Sequence, residues 1–390
     1  MTRRLATALA GIVVVLVATA GPAAADPPAP TDYRSEVDGL SPAVDGVTAR
    51  VIGGDSFLEL VVAADAEVVV VGYQGEAYLR FDPDGRVYEN QRSPSKPLNE
   101  DRFGEGDLAG TDAEAEPDWE QVSEGGTHQW HDHRTHWMQT DRPFGKQPGD
   151  RILEGVVPLQ VDGQEVDIRV SSTWIAGPSP VAALIGGAVA VLVAAAVIAW
   201  GRPVVAWLPV LVAAATAALV VGVWQVSSVP AATGPPRTAW LLPALALAFA
   251  LGAAVLHRRG AATTVVVACA TVTGVELVLW AWLRRDGLFR ALLPTDAPWA
   301  LDRSVTVAVA VVGLIAIVDL LRRSGLVPLG VSRSDGRRPA SPRPPSGRVP
   351  LLSGLRRHRR RRRPPGSGHQ RADDARSVPP GGASPRGAGS

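Results

Sequence analysis

Five apolar runs fill much of the second half of the chain, at about 180–200, 204–228, 238–256, 261–283 and 304–321. Each approaches the roughly 20 residues that carry a helix across a hydrocarbon core. Backbone amides and carbonyls in lipid must pair within their own segment, so the runs are restricted to helices. The expectation is an all-α bundle of five transmembrane helices over residues 179–322, to which everything else is attached. Trp200, Trp207, Trp224, Trp240, Trp280, Trp282 and Trp299 fall near run ends, where interfacial anchors sit. Pro209 and Pro243 mark places where a helix begins or kinks.

The two ends of the chain set the expected orientation. Residues 1–25 read as a secretory signal: Arg3 and Arg4, an apolar middle, then Ala23-Ala24-Ala25 before Asp26; the alternative is an uncleaved signal anchor, and either way the next segment faces outward. No cysteine follows, which excludes a lipoprotein, and Cys269 is the only cysteine in the chain. Disulfides within the chain and cysteine-based zinc sites are therefore excluded as well. An exported residue 26 and five crossings put the C-terminus in the cytoplasm of a bacterial cell. Arg202, Arg258, Arg259, Arg322 and Arg323 fall on that side, as the positive-inside rule requires. One loop runs against it: residues 284–303 hold four arginines and three aspartates on the expected outer side.

Charge is split along the chain. Residues 27–178 carry 29 Asp/Glu against 12 Lys/Arg, whereas residues 322–390 carry 17 Arg and 3 Asp. The Pro-, Gly-, Ser- and Arg-rich segment 323–390 has the composition of a disordered tail. A basic tail tethered to a bilayer meets anionic lipid headgroups before it meets nucleic acid. The acidic segment 26–178 reads as an exported all-β, sandwich-like domain. VTARVI, FLELVV, EVVVVGY and EAYLRF are short and rich in β-branched and aromatic residues. Asp84-Gly85 and Asp162-Gly163 stand between strand pairs as hairpin turns do. The final strand, DIRVSSTWIAG, runs almost directly into the first apolar segment.

Between the hairpins lie an acidic run, TDAEAEPDWEQVSE, and then THQWHDHRTHWM. The acidic run fails as a calcium loop, because Pro117 stands where glycine is needed and Ser123 where glutamate is needed. The second stretch holds four of the seven histidines and the only methionine after the initiator. His128, His131, His133, His136 and Met138 are candidate metal ligands, since imidazole suits copper and zinc and a thioether favours Cu(I). Neither a strand nor a helix focuses all four rings; a bent loop could, or two histidines could act with a third ligand from elsewhere, Met138 or a carboxylate of the acidic run. Two other readings stay open: a polar plug in which Trp130 and Trp137 pack and Asp132 and Arg134 bind imidazoles, and a pH-sensing cluster. HExxH, GxSxG and P-loop motifs are missing from the sequence, so no catalytic residue is assigned. A hydrolase would need a concave pocket around His131 and Asp132.

GYQGEAYLRFDPDGRVYENQRSP and WHDHRTHWM resemble segments of a group of uncharacterised bacterial multi-pass membrane proteins. In these an exported β-rich domain with a WHDHR-x-HWM-like stretch precedes a few helices. The likeness covers about 40–175 better than the helices. It implies architecture without a mechanism, and the layout suggests copper handling. The other class carried forward is an envelope interaction or sensory protein with an unidentified protein partner. Within the helices, Glu276 is the ionisable exception and a functional candidate on that ground. It lies two turns from Arg284-Arg285, close enough for a simple interfacial role.

Overall fold

The computed structural model describes residues 27–100, 102–201 and 204–324. The expected signal segment, Arg202 and the basic tail lie outside the described residues. The N-terminal part is β-rich, with ten strands in two antiparallel sheets. The strands are β1 (Tyr33–Ser41), β2 (Val47–Ile52), β3 (Phe57–Val62), β4 (Val68–Val71), β5 (Ala77–Phe81), β6 (Val87–Asn90), β7 (Trp119–Ser123), β8 (Thr127–Trp130), β9 (Arg151–Val161) and β10 (Gln164–Trp174). Seven form one sheet in the order β1-β10-β9-β4-β5-β6-β7, and β2-β3-β8 form the other.

Both anticipated hairpins are present. Gly85 takes φ +84° in the β5–β6 turn and donates to the Asp82 carbonyl at 2.9 Å. Asp162 and Gly163 take φ +49° and +80°, the paired left-handed residues of a two-residue hairpin, between β9 and β10. Alternation along each strand sends Leu58, Leu60, Val68, Val70, Leu79, Phe81, Val157, Leu159 and Ile168 into one apolar core. β3 is covered on both faces. Its second face buries Phe57, and Glu59, which Arg50 and Gln129 satisfy. The acidic run is exposed at Asp112, Glu114, Glu116 and Asp118, as a solvated loop should be. A short helix, α1 (Ser95–Glu100), falls where no helical periodicity was evident. The buried Glu76 carboxylate fixes its start by accepting from Ser93 Oγ at 2.6 Å and Ser95 Oγ at 2.7 Å.

Five helices follow: α2 (Val181–Ala199), α3 (Trp207–Ser227), α4 (Thr238–Arg258), α5 (Thr263–Leu283) and α6 (Trp299–Arg323). All five are long and apolar enough to cross a membrane, which makes this a multi-pass membrane protein. α6 touches α2, α3 and α5. It begins five residues earlier than hydropathy implies, because its charged first turn is satisfied locally. Asp302 pairs with Arg284, and Arg303 donates to the carbonyls of Gly287, Arg290 and Ala291 at 2.8–3.0 Å. Arg290 is bound by Asp32 at 2.8 Å. The arginines that ran against the positive-inside pattern are thus largely taken up in local pairs.

Two tryptophans depart from the interfacial expectation. Trp207 and Trp280 are wholly buried, and their indole N–H groups donate to Asp319 at 2.9 Å and the Ala239 carbonyl at 2.7 Å. Trp200, Trp224, Trp240 and Trp282 are exposed at helix ends, as anchors are. The β domain joins the bundle where Thr31 pairs with Leu292 in a small antiparallel bridge. Arg258, Arg259, Arg322 and Arg323 fall at the opposite helix ends.

Candidate functional site

The histidine stretch begins as strand and ends as a bent loop. His128 and Trp130 lie on β8, paired with Leu60 and Leu58 of β3. Trp130 enters the core, and its indole N–H donates to Asp132 at 3.0 Å. Asp132 organises the turn that follows. Its fully buried carboxylate also accepts from the Arg134 backbone at 3.0 Å and guanidinium at 2.9 and 2.7 Å. Burial alone would raise that carboxyl, but Arg134 and Trp130 hold it below the ordinary value. Arg134 in turn lies 4.8 Å over the Tyr73 ring and donates to the Val71 carbonyl at 3.0 Å. The Asp132–Arg134 pair is therefore internal to the turn, where the sequence suggested partners for imidazoles. The loop backbone lies hard against β9: a Cβ at Gly155 would overlap the Arg134 carbonyl oxygen.

This bend brings three of the four histidines together. Ring centroids are 5.0 Å apart for His131 and His136, 5.6 Å for His133 and His136, and 6.2 Å for His131 and His133. His128 stands apart, stacked along Trp130 at 6.4 Å. Phe57 meets His131 edge-on at 5.3 Å, and Tyr73 stacks on His133 at 5.8 Å. Gly104 closes one side: a Cβ there would lie 3.0 Å from His133 Cε1 and 3.6 Å from Met138 Cε. Met138 thus borders the cluster. Trp137 is peripheral and donates its N–H to the Asp141 carbonyl at 2.9 Å.

Burial favours the neutral imidazole at two positions. His136 is pushed down to about 3, first by burial and then by the Arg102 charge and the neighbouring His131. His128 is pushed down to about 4 by burial. His136 Nδ1 lies 3.2 Å from the Trp137 carbonyl, so Nδ1 carries the proton and donates. Its Nε2 is then a lone-pair atom, buried and without a hydrogen-bond partner. Arg102, whose charge acts on His136, is itself bound by the buried Asp55 at 2.6 Å.

Among the described residues no group of three or more His, Cys, Asp or Glu is positioned to hold a metal ion. The three rings meet at 65–88°, edge to face. Asp132 is consumed by Trp130 and Arg134, so it does not orient His131 as a general base. Tyr73, Phe57, Arg102 and Gly104 frame the cluster from distant parts of the chain, and no spacing in the sequence announces them. Compared with family models, curated proteins and solved structures, the chain finds no match in any of the three.

Proposed function

We propose that the protein sits in a bacterial cell membrane with its acidic β domain on the outer side. There the domain binds or relays one copper or zinc ion through His131, His133 and His136. Three nitrogens at metal-bond distances of about 2.0–2.1 Å place ring centroids about 5 Å apart. The observed separations are 5.0–6.2 Å, so an ion would draw the His133 side chain in toward the other two. The observation that carries the reading is His136: its Nδ1–H is held by a carbonyl and its buried Nε2 is left open. That is the tautomer and second hydrogen bond found in metal-bound imidazoles. Met138 supplies a thioether at the edge, which would bias the site toward Cu(I). On the other side, the arginine-rich tail would rest on anionic headgroups.

The test uses the full chain in lipid nanodiscs, stripped of metal and titrated with Zn(II) and Cu(I) against competing chelators. One equivalent per chain is expected. A His133→Ala/His136→Ala variant with unchanged circular dichroism should lose it. A folded wild type that takes up neither ion sinks the reading. The second reading, a structural cluster in a domain that meets an envelope partner, is favoured by the edge-to-face packing on Phe57 and stacking on Tyr73.

A further inference from the structure

The bundle contains an acid that the metal reading does not use. Glu276 on α5 is 4% exposed, and both carboxyl oxygens are buried without a hydrogen-bond partner. The basic residue two turns away does not serve it. Arg284 is bound by Asp302 and Gln225 and stacks over Trp280 at 4.7 Å. Trp280, one turn from Glu276, spends its N–H on Ala239 of α4. Thr273 donates to the carbonyl of Ala246 or Cys269. α3 carries no titratable side chain, and those of α4, His257 and Arg258, lie at its far end. On α6 the charged groups are Asp302 and Arg303 at one end and Asp319, Arg322 and Arg323 at the other.

α5 meets α6 where a Cβ at Gly274 would lie 3.1 Å from the Gly313 carbonyl and one at Gly313 would lie 3.5 Å from Leu277 Cβ. Gly313 lies between Asp302 and Asp319, which are roughly 25 Å apart along the helix. Glu276 is therefore deep in the bundle. An ionised carboxylate left unpaired in such surroundings is strongly disfavoured, so the group must be neutralised. Above it, at the end facing the β domain, is a cavity of about 280 Å³. Trp280, Arg284, Asp302, Gln225 and Thr238 line it, and the Pro27–Pro30 segment flanks it. Its volume suits several waters.

We propose that Glu276 is a reversible proton-binding site inside the membrane bundle, loaded from this cavity past Trp280. A water-borne proton joins a carboxylate oxygen to form the acid, and the same O–H bond breaks to return it. No redox partner is involved. The site is independent of the histidine cluster, so either proposal can fail alone.

The test is infrared difference spectroscopy on the full chain in nanodiscs, with ¹³C-labelled glutamate. A protonated-carboxyl C=O band that shifts with the label at neutral pH is expected, lost in E276Q. If E276Q fails to fold, E276D takes its place: the label-sensitive band should give way to an aspartic-acid band that the glutamate label does not shift. No label-sensitive protonated band, or one that persists in a folded E276Q, overturns the proposal. Thr238→Trp, which fills the cavity, should slow deuterium exchange of that band, and an unchanged rate would overturn the route.

Discussion

Acidification should loosen the β domain before any carboxylate of the turn is protonated. The perturbation is a move from pH 7 to pH 5. His136 titrates at about 3 in the folded chain and at 6.5 when exposed. Above 6.5 both states are neutral and nothing is lost. Below it the unfolded chain takes up a proton that the folded one refuses, so stability falls with pH and the loss levels off near 3. At pH 5 the gap is 1.5 pH units, or about 2 kcal/mol from His136 alone. Any folded value below about 4 gives the same figure at pH 5, so the result does not depend on the size of the shift. His128, half-buried by its accessible surface, should add about 1 kcal/mol after discounting for solvent. Asp132 is silent in this window, because a depressed carboxyl loses its contribution only below the ordinary 3.8. Asp55 and Glu89, pushed up by burial, act in the opposite direction. The informative quantity is therefore the difference between wild type and His136→Asn, in which their effect cancels. Pulse proteolysis of metal-free full chain in nanodiscs, across a urea series, reads the domain while the helices stay protected. The wild-type midpoint should fall by about 1 M urea more than the variant's between pH 7 and pH 5. Equal shifts in the two proteins would refute the burial argument for His136.

Gly155→Ala should destabilise the β domain by about 2–4 kcal/mol, because the added methyl must displace the Arg134 carbonyl, and urea midpoints will show it. Asp132→Ala leaves the Arg134 guanidinium and the Trp130 N–H without their acceptor and should cost about 3–5 kcal/mol, measured in the same way. Saturating Zn(II) at a hundredfold excess over its dissociation constant should add about 2.7 kcal/mol to the wild type and nothing to His133→Ala/His136→Ala.

The architecture was legible wherever the physical signal is local. Apolar length gave all five helices, and Asp-Gly pairs gave both hairpin turns, because each depends on neighbours in sequence. The early start of α6 was not legible, because it depends on Arg284 reaching Asp302 across a turn. Trp207 and Trp280 misled for a related reason: position near a run end says nothing about which face meets the bundle interior. At the histidine stretch, composition singled out twelve residues, and the structure bends them into a loop that gathers three of the four rings. Which rings converge did not follow, because Asp132 bends the chain by binding Arg134 and Trp130, a pairing that spacing alone does not choose. His128 was excluded by a strand register with β3, some seventy residues earlier.

The cluster's place in the domain bears on what it could report. Asp55, which holds Arg102 near His136, also accepts from Thr31 Oγ1 at 3.0 Å. Thr31 is the residue that pairs with Leu292, and its neighbour Asp32 binds Arg290 and the Ala291 N–H. A cation entering the histidine cluster would repel the Arg102 guanidinium and strengthen the pull of Asp55 on it. The hydroxyl of Thr31 shares that same carboxylate oxygen. The carboxylate is thus a common acceptor for the cluster's flank and for the strand that joins the helices. Both donors are held at once, so under the metal reading Asp55 would couple the cluster's flank to the residue that pairs with Leu292. Thr31→Val, which gives up that claim on the carboxylate, should change metal affinity at a distance if the cluster binds metal, and leave the helices intact.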